Sequence, residues 1–244
     1  MTNHTANFVP RLSGRLKLVA SFVPQGSRIA DIGTDHGFVP IYLAKEGRIK
    51  SALAMDVRTG PLERAAAHIK EAGISDIPIS TRLSDGLKEL KPEEADTVII
   101  AGMGGELEMK ILREGRHLWN TISRFILSPQ SDLEKVRRFL SEEGFFIEKE
   151  AMLSEEGKYY TVMCVTRGDM VYDRAIEYRY GKHLLDQKDP VLKEYLKKEE
   201  ERVLAILASL SVKEEGTLTK GQKKAGQSLL EELSQIREAE YEVQ

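Results

Sequence analysis

The residues best suited to chemistry fall in five short segments: Gly33-Thr34-Asp35-His36-Gly37, Asp56, Ser84-Asp85-Gly86, Ala101-Gly102-Met103-Gly104-Gly105 and Ser128-Pro129-Gln130. Each is polar, acidic or glycine-rich, and each follows a β-rich run. In an open α/β sheet, ligands bind beyond the carboxyl ends of the strands, which is where these segments would fall. Asp56 stands 23 residues after Gly33. An acidic residue at that distance, ending the second strand, is placed to accept both hydroxyls of a ribose.

The first segment narrows the choice of nucleoside ligand. A dinucleotide turn reads G-x-G-x-x-G, because a pyrophosphate needs bare backbone amides and a helix dipole. Here Asp35 would set a negative charge beside that pyrophosphate. The pattern favours a ligand without phosphate and with a positive end, which S-adenosylmethionine is. Asp31 and Asp35 can attract its cationic groups, and Asp85 can accept from the adenine amino group. Gly33 and Gly37 allow close backbone approach. Whether Asp35 and His36 serve the cofactor, the acceptor or both stays open. A metal is not expected: such a site needs three or more protein ligands, and five His and one Cys form no paired set. The second glycine-rich element, AGMGGEL, lacks the Gly-Lys-Ser/Thr ending of a phosphate-binding loop. Gly102, Gly104 and Gly105 either let a flat base approach the backbone or simply make a tight strand-to-helix turn.

The elements that must hold these residues alternate. Strands are predicted at 28–33, 51–57, 77–83, 96–102 and 124–128. Helices are predicted at 38–47, 61–73, 105–117 and 131–144, the last capped by Ser131 or Asp132. Two strands then follow around Glu155-Glu156-Gly157, a hairpin signal. The reading is α/β, a Rossmann-like domain over 1–168 with a mostly parallel sheet and an antiparallel edge strand. Residues 169–244 form a second, α-helical domain. Leu192, Leu196, Val203, Leu207 and Leu210, then Leu229, Leu230, Leu233 and Ile236, predict two amphipathic helices around a polar stretch, KEEGTLTKGQKK. These suggest a hairpin or short coiled coil, which either packs on the first domain or holds substrate.

Composition adds bounds. The 244 residues are 41% hydrophobic, and the net charge of −3 gives no global positive field. Cys164 alone cannot form an internal disulfide. Without a long apolar run or a hydrophobic signal core, a cytoplasmic protein with no membrane partner is expected.

Together these motifs resemble the class I methyltransferases, and among them the bacterial TrmK family, which methylates N1 of the adenine at position 22 in tRNA, on the D-arm side. The resemblance rests on ADIGTDHGFVP, Asp56, LSDGL at 83–87, IAGMGGEL at 100–107, SPQSD at 128–132 and EEGKYYTV at 155–162, in that order. It spans the first 165 residues, and the helical tail looks like the family's C-terminal domain. It implies cofactor contacts at Asp31, Gly33, Asp56 with Val57, Asp85, Gly86, Ala101 and Gly102. It places Asp35, His36 and Met103 near cofactor and base, where they are the candidate catalytic residues. Attack by N1 leaves a cationic base, so Asp35 is the candidate stabilising charge. Reaching N1 in folded tRNA requires turning the base out of its stack, with Phe38 as a wedge and Tyr159 or Tyr160 as a stacking surface. Arg11, Arg15, Lys17 and Arg28, in an N-terminal stretch without Asp or Glu, are candidate phosphate contacts. Arg174, Arg179 and Lys182, interleaved with tyrosines, are others. A monomer is expected. The rival readings are a methyltransferase for a small molecule, a protein or another RNA, and a cofactor-binding scaffold without activity.

Overall fold

The apolar runs assemble into one seven-stranded sheet. β1 (Ser27–Ile32), β2 (Ile49–Asp56), β3 (Ile79–Leu83), β4 (Thr97–Ala101) and β5 (Arg124–Ser128) pair in parallel. β6 (Phe145–Glu155) and β7 (Lys158–Arg167) form the hairpin, and β7 joins β5 antiparallel. The spatial order is β3-β2-β1-β4-β5-β7-β6. The structure is a computed structural model describing residues 8–211 and 219–244. The chain divides into two units, Met1–Met170 and Val171–Gln244.

β4 lies inside the sheet and is apolar at successive positions. Val98, Ile99 and Ile100 are all fully buried, as a parallel strand covered on both faces requires. The crossover helices are α2 (Phe38–Lys45), α3 (Thr59–Ala72), α4 (Gly105–Glu114) and α5 (Leu133–Glu142). They end as the punctuation dictates. Pro40 and Pro61 sit in first turns, and Gly73 closes α3 at φ +59°.

One helix lies outside the anticipated elements. α1 (Gly14–Phe22) precedes β1, capped by Ser13, whose hydroxyl accepts from Leu16 N at 3.3 Å. Its remaining first-turn donors are met from far away. Glu155, at the end of β6, accepts from Gly14 N at 2.6 Å and Arg15 N at 3.1 Å. A carboxylate at a helix N-terminus is favourable for charge and hydrogen bonding alike. Those two bonds hold the Glu155 carboxyl below its usual range. Val19, Ala20 and Phe22 pack into a core shared with Ile29, Val39, Ile99, Ile126 and Cys164. Cys164 is buried against Glu148, and burial pushes its thiol up to about 11.

Of the two residues expected as the cap of α5, Ser131 or Asp132, Ser131 does not serve there. Its hydroxyl instead accepts from Gly105 N at 3.2 Å, at the start of α4. Asp132 occupies the cap position of α5, at φ +57° and without a capping side-chain bond.

In the second unit, α7 (Pro190–Ser211) follows a turn of wide π-helix at Glu177–Gly181 and the short α6 (Lys182–Asp186). Asp189 Oδ1 accepts from Val191 N and Leu192 N and so caps α7. α8 (Lys220–Glu242) starts inside the stretch read as a polar turn, because Thr219 and Gln222 make a capping box there. The part of that stretch at 212–218 lies outside the described residues. Arg202 pairs with Glu232 and Arg237 with Glu200, so the two helices run antiparallel. Leu192, Leu196, Val203, Leu233 and Ile236 are buried, as the spacing requires, whereas Leu230 is 58% exposed.

The first unit also buries an ion pair. Arg137 of α5 and Glu150 of β6, each about fully covered, meet at 2.8 Å. Removing one partner strands a buried charge, so Glu150→Ala is expected to destabilise the fold by roughly 3–5 kcal/mol. The pair Arg137→Met with Glu150→Leu should lose far less. Denaturant unfolding of the three variants checks this.

Candidate active site

β1 pairs with β2 on one side and β4 on the other, and the chain leaves these strands in opposite directions. Their carboxyl ends therefore flank the switch point of the sheet, where an open α/β fold has its crevice. A cavity of about 330 Å³ lies there, and its lining includes Asp31, Gly33, Asp35, His36, Phe38 and Gly102. Farther along the same edge, beyond β2 and β3, a depression of about 470 Å³ is lined by Val57, Leu83, Ser84, Asp85, Lys88 and Glu89.

The turn after β1 is folded back on β2. Gly33 N and Thr34 N both donate to Met55 O, at 2.7 and 3.0 Å. Gly33 has φ +77°, and a Cβ there would fall 2.1 Å from Met103 Cε. Met103 thus packs across the turn from the loop after β4. Gly37 starts α2 at φ +68°, its N–H donating to Thr34 Oγ1 at 3.2 Å.

The carboxylates divide into two kinds. Asp31 and Asp56 are buried at 8% and 6% exposure. Burial, aided by the nearby Asp56 charge and opposed by a hydrogen bond from Thr34, raises Asp31 to about 6. Asp56 Oδ1 accepts from Arg58 N at 2.8 Å. Asp35 and Asp85 are exposed and already paired. Asp35 binds the Arg64 guanidinium and lies 3.2 Å from His36 Nε2. The bond to Arg64 chiefly holds its carboxyl below the usual range. Lys88 does the same for Asp85.

His36 stacks on Phe38 with ring centres 4.9 Å apart, and His68 and Phe8 continue the cluster. His36 Nδ1 is buried without a partner among the described residues. Arg15 lines the cavity from α1, its guanidinium 5.6 Å from the centre of the Tyr160 ring. Its Nη1 is likewise buried and unpartnered. The site therefore gathers Asp31, Gly33, Asp35, His36, Phe38, Arg15, Ala101 and Gly102 around one cavity, with Met103 packed against Gly33. Asp56 ends the adjoining strand, and Val57 and Asp85 line the second depression; Gly86 follows Asp85.

Other candidates lie elsewhere. Tyr159 neighbours Tyr160 along β7 and so points to the opposite face of the hairpin. Arg28, second in β1 and so at the far end of the sheet, pairs with Asp96 at 3.3 Å. Arg11 and Lys17 are exposed. Within the second unit, Arg174 pairs with Glu242, Arg179 with Glu232, and Lys182 with Glu177 and Asp186. Gln130, expected at the strand ends, and Ser131, expected only as a helix cap, fasten the loop after β5 to the loop after β4, a tie that sequence reasoning missed. Sequence reasoning also missed Glu108 of α4, fully buried with both carboxyl oxygens unpartnered and raised well above the usual range by that burial. Nothing in the sequence marks Glu108. Among the described residues, no group of three or more His, Cys, Asp or Glu is placed to hold a metal ion.

Strand order, switch-point cavity and acidic rim define a class I methyltransferase. The sequence profile of a family described as a methyltransferase domain matches residues 12–163. The tRNA (adenine(22)-N(1))-methyltransferase of Bacillus subtilis (strain 168) is 36% identical over 159 residues, which make up 65% of this chain and 66% of that protein, just under two thirds. The crystal structure of the B. subtilis m1A22 tRNA methyltransferase TrmK superposes with a TM-score of 0.82 at 30% identity, covering 94% of this chain and 99% of that one. The structure of M. capricolum TrmK in complex with S-adenosyl-homocysteine gives 0.81 at 26% identity, covering 96% and 99%. The chain belongs to the TrmK family.

The cofactor of this class, S-adenosylmethionine, fits the residues present. Asp56 ends β2, where an acceptor for a ribose would stand. Half-exposed Val57 and Leu83 beside Asp85 offer apolar surface and an acceptor for an adenine. The buried, ionisable Asp31 suits a cationic amino acid end. Asp31 is neutral below about 6 and charged above it. Binding a cation should draw its proton off, so affinity should rise with pH through 6 and level off above 7, changing up to tenfold per unit on the acid side. Titration calorimetry with S-adenosylhomocysteine from pH 5 to 8 checks this, and Asp31→Asn should flatten the profile.

Proposed function

We propose that this chain transfers the methyl group of S-adenosylmethionine to N1 of the adenine at position 22 of tRNA. The observation that carries the reading is the switch-point cavity. It has an acidic rim where a phosphate cradle would need bare amides, and its lining includes Gly102, without a side chain, at the end of β4. The B. subtilis relative is named for that tRNA adenine, which supports the choice of acceptor.

When bound, the sulfonium supplies an activated methyl carbon. The adenine N1 lone pair forms the new bond as the carbon–sulfur bond breaks, and that electron pair stays on sulfur. No proton has to leave N1 first, so the protein's task is positioning and charge. Gly33 and Gly102 give close approach on the two sides of the crevice. Asp35, kept ionised by Arg64, is an acceptor or a charge facing the developing cation rather than an acid. His36 and Phe38, stacked at the cavity, offer a surface for the extruded base. Arg11 and Lys17, exposed near the amino end of α1, are assigned to phosphate contact. Arg174, Arg179 and Lys182 stand in carboxylate pairs that a phosphate would have to displace. We assign the protein to the cytoplasm, as a monomer without a metal. Among the described residues, no helix is long and apolar enough to cross a membrane.

Methylation of transcribed tRNA is expected to be lost when A22 is changed to G, and an unchanged rate would sink the assignment. Binding of tRNA should weaken with salt, by a log–log slope of roughly −0.7 to −0.9 per neutralised phosphate. Asp35→Ala and Asp35→Asn should leave cofactor binding within a few-fold and slow transfer by about a hundredfold. Intact binding with undiminished transfer would remove Asp35 from the mechanism.

A further inference from the structure

The loop after β5 has so far had no role in the chemistry, yet it is tied tightly to the loop after β4. Gln130 N donates to Met103 O at 2.8 Å, and Ser131 Oγ accepts from Gly105 N at 3.2 Å. The two backbones are so close that a Cβ on Gly105 would fall 2.5 Å from Ser131 O. This fastening sets the Gln130 side chain beside Gly102. Its Nε2 lies 3.6 Å from the point where a Cβ of Gly102 would stand. Arg15 Nη1 and Nη2 lie 3.4 and 3.5 Å from the same point. Gly102, at φ +93°, thus keeps open a gap bounded by an amide and a guanidinium, on the lining of the cavity.

The chemistry of the acceptor says what such an amide can do. An adenine attacking through N1 turns that atom toward the methyl carbon. The edge left for recognition carries the N6 amino group and N7. A glutamine amide matches that edge in its own plane, its carbonyl accepting from N6 and its NH₂ donating to N7. Guanine presents acceptors at both O6 and N7. Either orientation of the amide then sets one acceptor against another.

We propose that Gln130 reads the N6–N7 edge of the acceptor adenine and so fixes N1 in line with the methyl carbon. The proposal rests on the acceptor assigned in the preceding section.

The test pairs a protein change with a single-atom change in the base. A tRNA carrying 7-deazaadenine at position 22 keeps N1 and the amino group but loses the N7 acceptor. kcat/KM is measured for the wild type and Gln130→Ala on this tRNA and on the unmodified one. Gln130→Ala should lower kcat/KM on unmodified tRNA by roughly 10- to 100-fold. The deaza substitution should lower the wild type by about 5- to 10-fold and leave Gln130→Ala unchanged. Melting temperature and S-adenosylhomocysteine affinity of Gln130→Ala should match the wild type, since the side chain is exposed and Gln130 joins the fastening through its backbone N–H. An equal deaza effect on both enzymes, full activity of Gln130→Ala, or a loss of cofactor affinity would each overturn the proposal. A wild type that leaves unmodified tRNA unmethylated would instead overturn the acceptor assignment, and the role of Gln130 with it.

Discussion

Everything at the site depends on the central place of β1, paired in parallel with β2 and β4. Parallel pairing points three carboxyl ends in one direction, and the reversal of strand order around β1 parts the loops that follow. The crevice is a consequence of topology before any side chain is chosen. What the sequence then adds is close backbone approach. Gly33 lets the first turn fold onto Met55 O and admits Met103, while Gly102 leaves its own Cβ position empty. A side chain at either would fill space that the topology has opened.

The charges around that crevice follow a single logic. The exposed carboxylates, Asp35 and Asp85, are neutralised by Arg64 and Lys88 in the structure as it stands. Of the buried ones, Asp56 meets the Arg58 guanidinium at 3.4 Å, whereas Asp31 is raised by burial and by its neighbour Asp56. Two buried carboxyls close together are costly when both are ionised. A ligand with a positive end offsets that cost, whereas a phosphate would add to it. On the proposed reading the electrostatic work of ligand binding therefore falls on Asp31, which burial leaves poorly able to hold its charge alone.

The β and α elements of the first unit were readable because each carries its own punctuation: a glycine at the end of β1, Pro61 and Gly73 around α3, and the apolar run of β4. The site residues at strand ends were readable for the same reason, since a strand end predicts a position as well as an element. What escaped is what depends on distant partners. α1 is finished at its amino end by Glu155, about 140 residues away in sequence. A window of ten residues shows only Ser13 and a weakly amphipathic stretch. Ser131 and Asp132 look equally like caps of the helix they precede; Asp132 stands there, while the Ser131 hydroxyl serves Gly105 of another helix. The basic residues of the second unit resemble a phosphate surface because a sequence shows a charge without its counter-charge. The structure puts Arg174, Arg179 and Lys182 against carboxylates.

Those long-range ties bear directly on the chemistry. A reaction that needs no base gains little from a reactive side chain and much from geometry, because holding two reactants in line removes the entropy of finding that arrangement. In this protein the two walls of the gap at Gly102 come from opposite ends of the first unit. Arg15 is fixed by Glu155 and the Tyr160 ring, and Gln130 by Met103 and the neighbouring Ser131–Gly105 bond. Neither wall is set by its own local sequence. The β6–β7 hairpin, which carries no residue of the cofactor site, is therefore part of the machinery that fixes the cavity. A loss of the Glu155 carboxylate would leave the Gly14 and Arg15 amides unpaired and loosen the end of α1 that carries Arg15, one side of the gap proposed for the base.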